Sequence, residues 1–88
     1  MLREEIIKGF LEQGIEVAKE DNFEEILKEE ILKLDDISKT IMLKRFGYEG
    51  EPQTLLSVAE QLGMEREEVR QIEVKAYKIL VNALKERK

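Results

Sequence analysis

The stretch TLLSVAEQLGMEREEVRQIEVKAY, residues 54–77, constrains the fold more than any other part of the chain. Ala59 puts a small side chain where two helices would cross closely. Gly63 follows Leu62 at a point where the backbone must leave a helix with positive φ, which glycine alone does at little cost. Val58, Leu62, Met64, Val69 and Ile72 supply apolar side chains to fill the angle between two helices. This order predicts a helix-turn-helix, a motif whose second helix normally enters the major groove of DNA. Each feature is common by itself. The small residue, the turn glycine and the apolar offsets constrain the fold jointly.

The rest of the composition narrows the function by exclusion. The chain has 88 residues, enough for one small domain with a modest core. It contains no cysteine, hence no disulfide and no thiolate metal site. It contains no histidine, the side chain most used for proton transfer near neutral pH and the commonest metal ligand. The paired carboxylates Glu29–Glu30 and Asp35–Asp36 have no nucleophile or phosphate-binding glycine loop beside them, so they read as helix capping and solvation. No enzymatic activity, catalytic residue, metal or cofactor is expected. No apolar run approaches the roughly 20 residues of a membrane span, and the charged N-terminus lacks a signal-peptide core. A cytoplasmic protein without membrane contact is expected.

Charge is unevenly placed. The net charge is −5, and charged residues make up 40% of the chain. Residues 1–33 carry 5 basic and 10 acidic side chains, and residues 34–88 carry 10 of each, so the whole excess lies in the first part. An acidic helical extension over 1–33, packed on a neutral module over 34–88, is the expected organisation. The acidic residues of the extension read as solvated helix faces. A sharper reading makes them a mask over a nucleic-acid-binding face.

Pro52 is the only proline and lies in the loop at 48–53. Elsewhere strong helix formers dominate, without period-two alternation, and the pattern predicts an all-α fold of about five helices. The first spans about 2–19, with Leu2, Ile6, Phe10 and Val17 on one side, softened by Gly9 and Gly14. The second starts at Asp21 or Asn22, where Asp21 with Glu24, or Asn22 with Glu25, could form a capping box. The third starts at Asp35–Asp36 and ends at Gly47. The fourth starts at Thr54, a good N-cap. The last runs from about 65 to 86, and its apolar face widens toward Val81 and Leu84. That width predicts packing there by the N-terminal helices or by a partner. Tyr48 and Phe46 beside the loop could stack on a base, but Phe46 reads as core, and the aromatic–basic interleaving of single-strand binders is absent.

Residues 31–80 resemble region 4 of the sigma-70 family of bacterial transcription initiation factors. The matching blocks are LKRFG at 43–47, TL at 54–55, the Ala59/Gly63 pair, and R-E-x-V-R-Q-I-E-x-K-A at 66–76. The resemblance implies a helix-turn-helix that contacts the −35 element of double-stranded promoter DNA. It also implies a flexible flap of the RNA polymerase β subunit as a protein partner. Carried over by position, Arg66, Glu67 and Gln71 match residues that approach base edges. Arg45, Thr54, Leu55, Arg70 and Lys75 match residues at the phosphate backbone. The side-chain chemistry suits these roles: arginine forks onto guanine, glutamine pairs with adenine, and a carboxylate accepts from cytosine N4.

Three departures from the family pattern bear on DNA binding. Glu65 stands where the family has a capping threonine, which predicts a weaker start to the last helix. Glu68 stands where the family has arginine on the DNA-facing side, exchanging attraction for repulsion. The basic tail is reduced to Lys85, Arg87 and Lys88. Residues 65–78 hold four basic and four acidic side chains, so the recognition helix has no net pull on phosphates. The leading expectation is a region-4-like domain in transcription initiation. The alternative is a sigma-like protein-interaction module, a regulator of polymerase or of a sigma factor, with weak or absent DNA binding. A homodimer built on Val81, Leu84 and the first helix is the third reading.

Overall fold

The computed structural model describes residues 2–87, which form five α-helices and one 3₁₀ turn. The helices are α1 (Glu4–Glu12), α2 (Phe23–Ile31), α3 (Asp36–Arg45), α4 (Leu55–Leu62) and α5 (Arg66–Glu86). The 3₁₀ turn, Glu16–Lys19, lies between α1 and α2. No strand occurs among the described residues. At 1.5 Å per residue, α5 is about 30 Å long. It therefore runs along most of the molecule's 38 Å long axis. The other helices pack around it, with α4 beside its first half and α2 beside its second.

The single helix expected over 2–19 is broken. Gly14 adopts φ 81°, a left-handed conformation that L side chains rarely take. Its N–H donates to the Leu11 carbonyl at 3.0 Å, and the Ile15 N–H to the Phe10 carbonyl at 3.2 Å. These two bonds form a Schellman closure of α1. The turn drives Ile15 and Ala18 into the core, at 1% and 4% exposure. A continued helix would have carried them elsewhere. The periodicity was real, and its glycine was the stop.

The start of α2 also differs from expectation. Asn22 makes no side-chain cap, and neither proposed capping box is present. Glu24, needed for one of them, is used in a longer-range contact. Its carboxylate accepts from the Leu2 backbone N–H, and its carbonyl accepts from the Tyr48 hydroxyl at 2.5 Å. One residue thus joins the N-terminus, α2 and the loop after α3. The Asp35 cap forms as read: its Oδ1 accepts from the Ser38 N–H at 2.9 Å. That bond holds the Asp35 carboxyl below its ordinary pKa.

One core unites both parts of the chain. Phe10 is fully buried at its centre. Its ring meets Phe23 edge-on at 5.6 Å and Phe46 edge-on at 6.0 Å, and stacks on Tyr77 at 5.0 Å. Aromatic pairs at such distances add about 0.5–1.5 kcal/mol beyond area burial. Leu27 and Ile31 of α2 share this core with Ile41 and Met42 of α3 and with Leu80 and Leu84 of α5. Val81 and Leu84 are buried by the chain itself, at 7% and 1% exposure. The apolar surface on which a homodimer was read is therefore covered within one protomer. At the end of α5, Arg87 donates to Glu30 at 2.5 Å and to Glu29 at 3.2 Å. Glu30 is only 6% exposed, and Lys33 Nζ lies 3.3 Å from it. These acidic residues of the extension therefore fasten the last turn of α5.

Candidate nucleic-acid interface

Helix α4 starts where Thr54 Oγ1 accepts from the Ser57 N–H at 3.0 Å. Val58 and Ala59 are its buried residues, at 0% and 1% exposure, and α4 packs mainly on α5. A larger side chain at Ala59 would push the two helices apart. Gly63 then takes φ 66°, and the Met64 N–H donates to the Ala59 carbonyl at 2.9 Å. This closes α4 and re-aims the chain so that α5 begins three residues after Gly63. The turn read from Ala59 and Gly63 is present in full.

The start of α5 corrects one expectation. Glu65 stands where a capping threonine was missed, and the first turn is tied from the other direction. The Glu65 backbone N–H donates to Glu68 Oε1 at 3.0 Å. Glu68 is thus a capping residue as well as an exposed negative charge on α5. The E-x-x-E spacing of Glu65 and Glu68 was the available signal, because a glutamate three residues after an N-cap reaches back in this way.

Beyond the cap, the outward side of α5 carries Arg66, Glu67, Arg70, Gln71 and Lys75, all exposed. Glu67 holds Arg70 in a forked pair, 2.9 Å to Nε and 2.6 Å to Nη2. Gln71 Nε2 also donates to Glu67, at 3.4 Å. The Arg70 hydrogen bond is the main reason the Glu67 carboxyl is held down, to about 2. The same contact raises Arg70. Glu67 is therefore a fixed anion at neutral pH, and Arg70 must exchange one anion for another to reach a phosphate. Arg66 and Lys75 make no hydrogen bond or ion pair among the described residues. A shallow depression of about 240 Å³ is lined by Arg70, Gln71, Val74, Lys75 and Lys78.

Arg45 does not share this open face. Its Nε lies 2.7 Å and its Nη2 3.3 Å from the Glu73 carboxylate, and Nη1 donates to the Gln53 carbonyl at 2.6 Å. It ties α3 to α5 and to the loop before α4, with a side chain only 27% exposed. Thr54 is exposed at the start of α4, and Leu55 beside it is half-buried. Tyr48 is not free to stack on a base: its hydroxyl is held by Glu24, and burial, with Glu24 adding, pushes its pKa far up. Phe46 is core, as read. Of the basic tail, Arg87 is tied to Glu29 and Glu30, and Lys88 lies outside the described residues.

A family model for sigma-70, region 4, matches residues 31–80. The chain belongs to the sigma-70 region 4 family. The region 4 match starts in the last turn of α2 and covers α3, α4 and two-thirds of α5. It contains the whole helix-turn-helix and every residue assigned above to the DNA-facing set. No solved structure matches the chain. Region 4 is a transcription-factor domain of the DNA-binding helix-turn-helix kind, not an enzyme, and domains of this family interact with RNA polymerase and promoter DNA. No helix of the described residues is long and apolar enough to cross a membrane.

Proposed function

We propose that this domain acts in the cytoplasm in bacterial transcription initiation, contacting −35 promoter DNA through α4 and α5 and docking on the β-subunit flap of RNA polymerase. The observation that carries the reading is the outward side of α5. Arg66 and Lys75 are exposed there and make no hydrogen bond or ion pair among the described residues, with Gln71 between them in sequence. None of the three is needed for packing. Arg66, Glu67 and Gln71 would approach base edges, while Thr54, Leu55, Arg70 and Lys75 would position the phosphate backbone. Arg45 would hold the helix-turn-helix against α3 and reach a phosphate only through its remaining donors. Residues 1–33 would serve as an acidic scaffold completing the core of the 34–88 module.

The recognition helix has no net positive charge, so its own grip on DNA is weak. Attachment to polymerase raises the local concentration of the module at a promoter, and modest contacts then suffice. The test is a titration of the isolated chain against −35-containing and scrambled duplexes at low and moderate salt. Salt-dependent binding that prefers the −35 duplex supports the reading. Equal binding to both duplexes, together with no effect on polymerase–promoter complexes, overturns it.

A second reading rests on the Glu67–Arg70 pair and on Glu68. The carboxylates leave Arg70 occupied, which suits a sigma-like module that docks on protein and touches DNA little or not at all. Glu68→Gln separates the two readings while keeping an acceptor for the Glu65 N–H. If Arg66→Ala and Gln71→Ala abolish promoter recognition in the unmodified protein, the DNA face is in use. If only Glu68→Gln creates binding, that face is idle in the natural sequence.

A further inference from the structure

The exposed row that contains Gln71 does not stop where the family match stops. Val74, Lys78, Asn82 and Lys85 continue it at steps of three and four residues, the spacing that keeps side chains on one helical face. Lys78, Asn82 and Lys85 are all exposed, and Val74 is 39% exposed. Lys78 and Lys85 make no ion pair or hydrogen bond among the described residues, whereas Lys19, Lys33, Lys39 and Lys44 each pair with a carboxylate. Two adjoining shallow depressions meet at Lys78. One holds Arg70, Gln71 and Lys75, and the other holds Gln13, Asn82 and Lys85. Glu12 at the end of α1 acts electrostatically on Tyr77 at this edge, and it does not bond either lysine. The first turn of α5 carries Glu67 and Glu68, and its later turns carry Lys75, Lys78 and Lys85, with exposed Glu86 beside the last of them.

From these observations we infer that the C-terminal half of α5 is a second duplex-DNA contact, in which Lys78 and Lys85 neutralise phosphates flanking the groove entered by the first half. The inference rests on the reading of α5 as the recognition helix and extends it. From Gln71 to Lys85 the helix advances about 21 Å at 1.5 Å per residue. The major groove is about 12 Å wide and curves around the duplex, so a straight helix of this length cannot stay within it. The far half leaves the groove, and where it passes a backbone it presents Lys78 and Lys85. The helix can be this long because Leu80 and Leu84 are buried on its other side, and Val81 is buried at the row's edge. The contact is to phosphate, so it adds affinity and salt dependence without reading sequence.

The test is the salt dependence of duplex binding by the full chain and by Lys78→Ala/Lys85→Ala, followed by fluorescence anisotropy on −35 and scrambled duplexes. Each neutralised phosphate contributes about 0.9 to the slope of log K against log salt, so the double variant should lose roughly 1.8 from that slope. The affinity ratio between the two duplexes should stay unchanged. Lys8→Ala/Lys28→Ala, on α1 and α2, should leave the slope as it is. Circular dichroism that superimposes on the parent confirms that both variants are folded. An unchanged slope in Lys78→Ala/Lys85→Ala, while the parent still prefers the −35 duplex, overturns this inference and leaves the proposed function standing. An equal loss in the control pair overturns it too, because net charge alone would then explain the effect. Loss of polymerase binding with unaltered duplex binding assigns the row to protein and also overturns it. A parent chain that binds neither duplex overturns both the inference and the DNA reading beneath it.

Discussion

Two arginine–glutamate forks, one at the α3–α5 junction and one on the outer face of α5, use the same chemistry for opposite ends. Arg45 meets Glu73 at 2.7 Å and Arg70 meets Glu67 at 2.6 Å, so the short contacts hardly differ. What differs is span and solvent. Arg45 and Glu73 are 28 residues apart and their side chains are 27% and 23% exposed. Arg70 and Glu67 are one helical turn apart and 48% and 58% exposed. An ion pair in water within one helix contributes little to stability, because solvent and salt compete for it. A half-shielded pair that also binds a backbone carbonyl fixes two helices and a loop. The difference teaches that a cation in a matching motif is available to a ligand only where its existing partner is easily exchanged.

The comparison can be broken or sharpened by substitution. The largest effect is expected from Phe10→Ala, which removes the ring packed on Phe46 and Tyr77 beneath the α3–α5 junction. Loss of a buried phenylalanine costs about 3–5 kcal/mol, so chemical denaturation should show a large fall in midpoint. Such a loss would show that the extension is part of the fold. Arg45→Ala comes next, at roughly 1–3 kcal/mol, since it leaves Glu73 and the Gln53 carbonyl short of a partner in a half-shielded site. If Arg45→Ala instead kept full stability and lost only DNA affinity, the contrast between the two forks would collapse. Thr54→Ala removes the N-cap of α4 and should cost about 1 kcal/mol in the same assay. Arg70→Ala should leave the thermal midpoint unmoved and weaken duplex binding.

The smallest effect concerns pH. Glu67 titrates at about 2 in the folded chain, below its ordinary 4.5. A depressed carboxyl pKa stabilises the fold above the unfolded value, and that contribution fades as pH falls toward the folded value. Its share should therefore disappear between about pH 4.5 and 2, and Asp35, also lowered, acts in the same direction. Glu67→Gln should flatten the acid limb of stability against pH slightly. Little change at neutral pH is expected, because the pair is solvent-exposed.

Much of this was legible from local chemistry. Ala59 and Gly63 gave the turn, Asp35 and Thr54 gave two helix starts, and the apolar spacing gave α3, α4 and α5 nearly to the residue. The misreadings share a cause. The helix expected over 2–19 fails at Gly14, because a Schellman closure there buries Ile15 and Ala18, and that gain exists only once the core is assembled. The capping box at Asp21–Glu24 fails because Glu24 finds the Leu2 N–H instead. At the candidate interface, motif matching named the residue types that face outward. It could not distinguish Arg45 from Arg70, since their partners lie at different sequence distances.

By itself, then, the sequence determined the helix-turn-helix and the family, because turn geometry and helix capping depend on residues a few positions apart. It also determined that the recognition helix carries as much negative as positive charge. Only the tertiary structure decided which of those charges are free. Ion pairing depends on proximity in space. Folding commits Arg45 to Glu73 and Arg87 to Glu29 and Glu30, and leaves Arg66, Lys75, Lys78 and Lys85 on α5 without an ion pair among the described residues.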